Sequence, residues 1–142
     1  PGMPVVAADG LVGYVRRVHG NYSDVMLVAD PQCKVDVIVR RTGARGMLGG
    51  VQERNRYVAN IQFLERDDDV RVGDEVYTSG LGHRFPAGIL VGHVTRVTRR
   101  DYGLYQQAEV TPSVDFSDLR EVLVLTTGSR VPSDLNSGSG RE

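Results

Sequence analysis

Apolar positions in this chain fall in short valine-rich runs broken by glycine, proline, asparagine and aspartate. That is the punctuation of strands and turns rather than of helices. Val5-Val6 predicts a first strand, with a turn at Asp9-Gly10. Leu11 to Val18 predicts a second, ending at His19-Gly20-Asn21, and Val25 to Ala29 a third, stopped by Asp30-Pro31. Val35 to Arg40 alternates with its valines on one face, as a half-buried strand does. The glycine-rich stretch Thr42 to Gly50 predicts bends or a bulged strand. Tyr57 to Leu64 follows as a strand, with Tyr57, Ala59, Ile61 and Phe63 on one face and Val58, Asn60 and Gln62 on the other.

The second half rhymes with the first. Leu90 to Val97 (LVGHVTRV) reads against Leu11 to Val18 (LVGYVRRV), and Val72 to Thr78 aligns with Pro1 to Ala7. Gln107 to Thr111, ending at Pro112, resembles Val25 to Ala29 with Pro31. Val122 to Leu125 corresponds to Val35 to Val39. In the repeated strand the valines sit three apart, at 12, 15, 18 and 91, 94, 97. Gly13, Gly92 and the β-branched residues of the second copy argue against a helix there. An extra residue near Arg16-Arg17 and Thr95-Arg96, a β-bulge, restores Val15 and Val18 to one side and bends a small sheet toward closure.

The expected fold is therefore all-β, with two small β-barrel subdomains in tandem and little or no helix. The first is expected over residues 1–65 and the second over 66–127. The charge run Glu65 to Asp69 lies at the boundary, and exchange of a strand between the units is one arrangement this allows. Residues 128–142 are rich in glycine and serine and predict a flexible tail.

Composition narrows the function classes. A net charge of −1 gives no field to draw nucleic acid or an anionic membrane. Sixteen of the seventeen basic residues are arginine, and the pairs Arg16-Arg17, Arg40-Arg41 and Arg99-Arg100 read as solvated strand edges among acidic residues of nearly equal number. The single cysteine, Cys33, has no internal disulfide partner. No apolar run approaches the roughly 20 residues of a membrane-spanning helix. The chain starts at Pro1, so any targeting or anchoring segment is expected upstream.

Paired β-barrels are also a scaffold for serine hydrolases, and His19, His83 and His93 with Ser23, Ser79 and Ser113 supply the residue types of a triad. None of the serines sits in a G-x-S-x-G elbow. The Gly43 to Gly50 stretch lacks the G-K-[ST] ending of a phosphate loop, and the histidines are not spaced for a metal site. Neither cofactor nor metal is expected. The unmatched loop before the second copy, with Leu81, His83, Arg84, Phe85 and Pro86, is the candidate protein-interaction site. Phe85 has two readings, an inward plug on its own barrel or an aromatic anchor for a partner with Arg84 beside it.

Several motifs resemble the barrel region of the MreC family of bacterial rod shape-determining proteins. They are Asp9-Gly10-Leu11-Val12-Gly13, Arg41 to Gly46 followed by Leu48 and Gly50, and Gly73-Asp74. Thr78 to Gly82 with Phe85-Pro86, Gly88-Ile89 with Val91-Gly92, and Asp115 with Leu119 and Val122 to Leu125 complete the pattern. The resemblance spans about residues 4 to 125. It implies a non-enzymatic scaffold of cell elongation on the periplasmic face of the inner membrane, anchored by one upstream transmembrane helix and a coiled coil. Implied partners are a class B penicillin-binding transpeptidase, RodA, MreD, the MreB complex and further copies of the protein. It supplies no catalytic residues. The alternatives are a barrel-fold hydrolase acting on peptides or cell wall, and a ligand-binding barrel.

Overall fold

A computed structural model describes residues 2–126, except 54, 55, 83 and 100–102. Ten strands follow in order: β1 (Pro4–Ala7), β2 (Gly10–His19), β3 (Tyr22–Leu27), β4 (Lys34–Val39), β5 (Arg45–Glu53), β6 (Arg56–Glu65), β7 (Glu75–Thr78), β8 (Leu90–Thr98), β9 (Tyr105–Pro112) and β10 (Leu123–Val124). One 3-10 turn, Phe116–Asp118, is the only helical segment among the described residues. The strands form a four-stranded sheet in the order β10-β1-β2-β3 and a closed six-stranded barrel, β4-β5-β6-β9-β8-β7.

The duplication holds hydrogen bond for hydrogen bond. β1-β2 shifts register between Val5 and Val6, and β7-β8 shifts between Val76 and Tyr77. β2-β3 shifts between Val15 and Arg17, and β8-β9 between Val94 and Arg96, where the valine spacing places the bulges. Gly13 and Gly92 hold equivalent places. A Cβ on Gly13 would fall on the Met26 carbonyl oxygen, and one on Gly92 on that of Thr111, so only glycine lets the neighbouring strand cross there. Asp30 accepts from the Gln32 N–H at 2.8 Å and Asp115 from the Ser117 N–H at 3.1 Å, matching turns after β3 and β9. Leu27 thus corresponds to Pro112, and the Pro31–Pro112 correspondence of the sequence alignment is displaced by an insertion in the β8-β9 turn.

The fourth strands are exchanged. β4 follows the first repeat but pairs with β7 of the second, Val39 opposite Val76. β10 follows the second repeat but pairs with β1, Val5 opposite Val124. Each repeat therefore yields the same four-stranded sheet, closed by the other repeat's last strand. The inserted hairpin β5-β6 joins β4 to β9 and turns the second sheet into a barrel.

These pairings correct two expectations. One unit is a closed barrel, but the other is an open sheet, because no hairpin bridges β10 and β3 among the described residues. The division at residue 65 also does not follow the sheets, since the barrel takes β4–β6 from before it and β7–β9 from after it. The charge run between them is a short connection tied down by buried Gln106, whose Nε2 donates to the Glu65 and Asp68 carbonyls at 2.8 Å each. The tail expected over 128–142 lies outside the described residues.

One continuous core joins the two sheets. Val6, Leu11, Met26 and Val28 of the open sheet pack with Val35, Val37, Leu48, Ile61, Leu64, Val76, Val91 and Val110 of the barrel. Fully burying each such side chain contributes about 1.5–3 kcal/mol. A smaller cluster, Val5, Val12, Val15 and Val114, covers the outer face of the open sheet. Beyond Val15 only β3 flanks β2, so Val18 is exposed although the bulge was expected to bring it to the side of Val15. Within β5, Gly46 and Gly50 lie in strand rather than in a bend. A Cβ on Gly46 would strike Ile61, and one on Gly50 the Ala29 carbonyl.

Arg41, in the turn after the exchanged β4, is exposed, yet its guanidinium is fully engaged. Its guanidinium clamps the start of the second repeat, with Nε 2.7 Å from Asp74 Oδ1, Nη2 3.1 Å from Oδ2, and Nη1 3.1 Å from Asp69. Asp74 is buried and also accepts from the Arg71 N–H at 2.8 Å. The Arg41 hydrogen bonds hold its carboxyl below the usual carboxylate range.

Two predictions follow from this framework. Gly92→Ala should cost about 1–3 kcal/mol in a urea melt, and an unchanged midpoint would refute the β8-β9 register. Because Asp74 titrates lower folded than unfolded, its stabilisation is complete above its unfolded pKa, about 3.9, and disappears as pH falls through the folded value. Arg41→Gln should therefore lower the melting temperature clearly at pH 7, and by progressively less as pH falls below about 3.9, the unfolded value, to pH 3. Equal losses at both pH values would exclude the ion pair as the cause.

Candidate interaction surface

The connection from β7 to β8 carries the residues singled out in the sequence, and one side chain closes its base. Thr78 Oγ1 donates to the Pro86 carbonyl at 2.6 Å and accepts from the Ile89 N–H at 2.9 Å, while its backbone pairs with Ile89 and Gly88. Gly80 and Gly88 adopt φ of 83° and 89°, the left-handed region that glycine enters without strain. Ser79 Oγ donates to Asp36 Oδ1 at 2.6 Å and so fastens the loop to β4.

The two readings of Phe85 are decided by burial. Phe85 is 6% exposed and belongs to the main core, with its ring edge-on to Tyr14 of β2, centroids 6.3 Å apart. The Arg84 guanidinium lies 3.8 Å from the Tyr14 ring centroid, within cation–π range. The loop thus reaches from the barrel to the open sheet and grips Tyr14 between Arg84 and Phe85. Phe85 is a plug, unavailable to a partner. Leu81, 55% exposed, is the large apolar side chain that the loop presents to solvent, with Pro86 half-buried. His83 lies outside the described residues.

Among the described residues, the hydrolase candidates do not converge. His19 Nε2 lies 3.0 Å from Asp24 Oδ2 at the tip of the β2-β3 ribbon, stacked on Tyr22. Ser79 gives its hydroxyl hydrogen to Asp36, and Ser113 Oγ donates to the Asp9 carbonyl at 2.6 Å. His93 is exposed on β8, opposite Glu75 and Thr111. Burial pushes the Cys33 thiol up to about 11, which leaves it protonated and unreactive. Among the described residues, no three His, Cys, Asp or Glu side chains are grouped to hold a metal ion, and no helix is long and apolar enough to cross a membrane.

Two surface features had no signal in the alternation. Phe63, expected on the Ile61 face, is turned outward because β6 bulges between Ile61 and Leu64. It takes φ of 66°, and its ring meets exposed Tyr105 edge-on at 5.6 Å. The outer side of β3 is the second. It has no partner strand among the described residues and borders a groove lined by apolar Val25, Leu27, Ala29 and Tyr57 and by charged Arg16, Asp24 and Asp30. Only the topology shows which strands end a sheet.

A closed barrel fused to an open sheet, with a loop bridging the two, defines an all-β protein built on an internal repeat. The family model described as "Rod shape-determining protein MreC, barrel core" matches residues 1–126. The cell shape-determining protein MreC of Listeria monocytogenes is 33% identical over 130 residues, covering 88% of this chain and 43% of that protein. Among solved structures, MreC from Pseudomonas aeruginosa superposes with a TM-score of 0.82 at 30% identity, covering 87% of this chain and 79% of that one. A complex between Penicillin-Binding Protein (PBP2) and MreC from Helicobacter pylori shares the fold, with a TM-score of 0.68 at 23% identity over 85% of this chain and 74% of that one. The chain belongs to the MreC family. It spans less than half the length of the curated relatives it matches.

The loop assignment has a direct check. Phe85→Ala should destabilise by about 3–5 kcal/mol, as large-to-small changes of buried aromatics do, while Leu81→Ala leaves the melt unchanged. A Phe85→Ala variant as stable as the parent would return Phe85 to the surface.

Proposed function

We propose that this chain is the barrel portion of a non-enzymatic scaffold of cell elongation, held at the periplasmic face of the inner membrane by a segment upstream. In this reading it organises peptidoglycan synthases. It binds a class B penicillin-binding transpeptidase, and through the membrane complex works with RodA, MreD and MreB, while also binding further copies of itself. Support comes from membership of the MreC family, whose relatives are named for cell shape determination, and from a protein of the same fold solved together with PBP2. On the molecule itself, the observation that carries a binding role is the open sheet beside the closed barrel, with edge strands unpaired among the described residues and exposed apolar side chains at each. Among the described residues, the hydroxyls of Ser79 and Ser113 donate to Asp36 and to the Asp9 carbonyl, which does not favour a hydrolase.

The test is retention of the chain on an immobilised transpeptidase ectodomain. The parent should be retained, and Leu81→Asp should weaken retention roughly tenfold, about 1.4 kcal/mol, without changing the melt. Failure of the parent to bind would sink the transpeptidase reading, and parent-like binding by Leu81→Asp would move the contact off the loop.

A further inference from the structure

An exposed aromatic pair on the barrel has no part in the core or in the β7-β8 loop. β6 sets two residues, Gln62 and Phe63, against the single Gln107 of β9, because the pairing passes from Ile61–Ala108 to Leu64–Gln106. The bulge leaves Phe63 at φ 66°, the one non-glycine residue with positive φ among the described residues. Bulky side chains rarely enter that region, and residues held there cluster at binding sites. Phe63 gains no burial from it, since it is 58% exposed. Its ring meets that of half-exposed Tyr105 at 85°, so the two form a corner rather than a flat patch. Leu104 beside them is 77% exposed.

The corner borders a recess of about 340 Å³ on the outer face of the barrel, within the size range of clefts that take small ligands. Also lining it is a row across three neighbouring strands, Gln62 of β6, Gln107 of β9 and Thr98 of β8, the last two directly opposite each other. All three are exposed, and their side chains have no hydrogen-bond partner among the described residues. Gln106 differs, because its amide is committed to the Glu65 and Asp68 carbonyls. A quarter of the chain is charged, yet none of the described residues lining this recess is. Charged groups line a separate recess bordered by the same two rings. There Asp36 accepts from Ser79 and Arg45, and Asp68 from the Glu65 N–H.

These features select a ligand class. An ion finds no counter-charge in the recess, and a purely apolar group leaves the free amides unused. A pyranose supplies both halves. Its weakly positive C–H groups suit the negative face of an aromatic ring. Its hydroxyls donate and accept, as do the carbonyl and NH2 of each glutamine. An acetamido substituent adds an amide for the glutamines and a methyl for Leu104. We infer that the Phe63–Tyr105 corner and the Gln62–Gln107–Thr98 row form a binding site for a neutral, N-acetylated glycan. None of these residues belongs to the β7-β8 loop or to the open sheet, so the site does not rest on the transpeptidase reading and leaves Leu81 free.

Titration of chitotetraose into the isotope-labelled chain, followed by NMR, tests the site. The side-chain amide signals of Gln62 and Gln107 should shift and saturate. Cellotetraose, which lacks acetamido groups, should bind about tenfold more weakly. Phe63→Gly places at φ 66° a residue that enters this region freely, so it should keep a melt like the parent's while weakening binding about tenfold. Gln107→Ala, at an exposed position, should do the same, and Leu81→Asp should bind chitotetraose as the parent does. Absence of a saturable shift at about 5 mM chitotetraose overturns the site. Equal binding of cellotetraose overturns the acetamido contact, and parent-like binding by both Phe63→Gly and Gln107→Ala places the glycan elsewhere. If no glycan binds and Phe63→Gly instead weakens retention on the transpeptidase ectodomain, the corner is a protein contact and the glycan site is wrong.

Discussion

Everything in this molecule depends on the trade of fourth strands between its two repeats. A three-stranded meander with the sequence of β1–β3 or β7–β9 leaves the outer side of its first strand without hydrogen-bond partners. In this chain the missing ladder always comes from the other copy, β10 onto β1 and β4 onto β7. Each unpaired buried backbone group costs free energy comparable to a lost hydrogen bond, so neither repeat is complete alone. The continuous core has the same origin, because a strand that crosses between sheets takes its apolar residues with it.

Two insertions distinguish the repeats once that frame is set. The β5-β6 hairpin spans from β4 to β9 and closes one sheet into a barrel, and the sister sheet stays open for want of it. The longer β7-β8 connection uses its extra residues to lay Phe85 and Arg84 on Tyr14 of the opposite sheet. It thereby ties together two sheets that already share a core, while the Arg41 clamp on Asp69 and Asp74 fastens the end of β4 to the segment before β7 within the barrel. The result is a body with one continuous core and with β10 and β3 at the ends of its open sheet.

Much of this was legible in the chain. Valines three residues apart, with Gly13 and Gly92 in register, reported the bulges because a pleat of period two leaves no other way to face them together. The repeat itself, the all-β class and the extra loop were visible for the same reason: short-range pattern encodes short-range geometry. Pairing partners were not visible. Nothing in Lys34–Val39 states that it joins β7 rather than β1, since either pairing buries the same three valines. The boundary at residue 65 failed on that point. Phe85 stayed ambiguous because a loop aromatic flanked by glycines looks the same whether a partner or Tyr14 receives it. Phe63 was misplaced because the extra residue in β6 carries no mark in the alternation.

The exchange also fixes an order of events along the chain. On its outer side Val5 pairs with Val124, so β1 is synthesised long before the strand that completes its ladder. β7 has no such delay, because β4 precedes it, and the barrel can assemble while β10 is still absent. Bringing such distant strands together is a slow, entropically costly closure. Until it happens β1 offers an open edge, so the interval before β10 arrives is when a nascent copy is most exposed to pairing with the wrong strand.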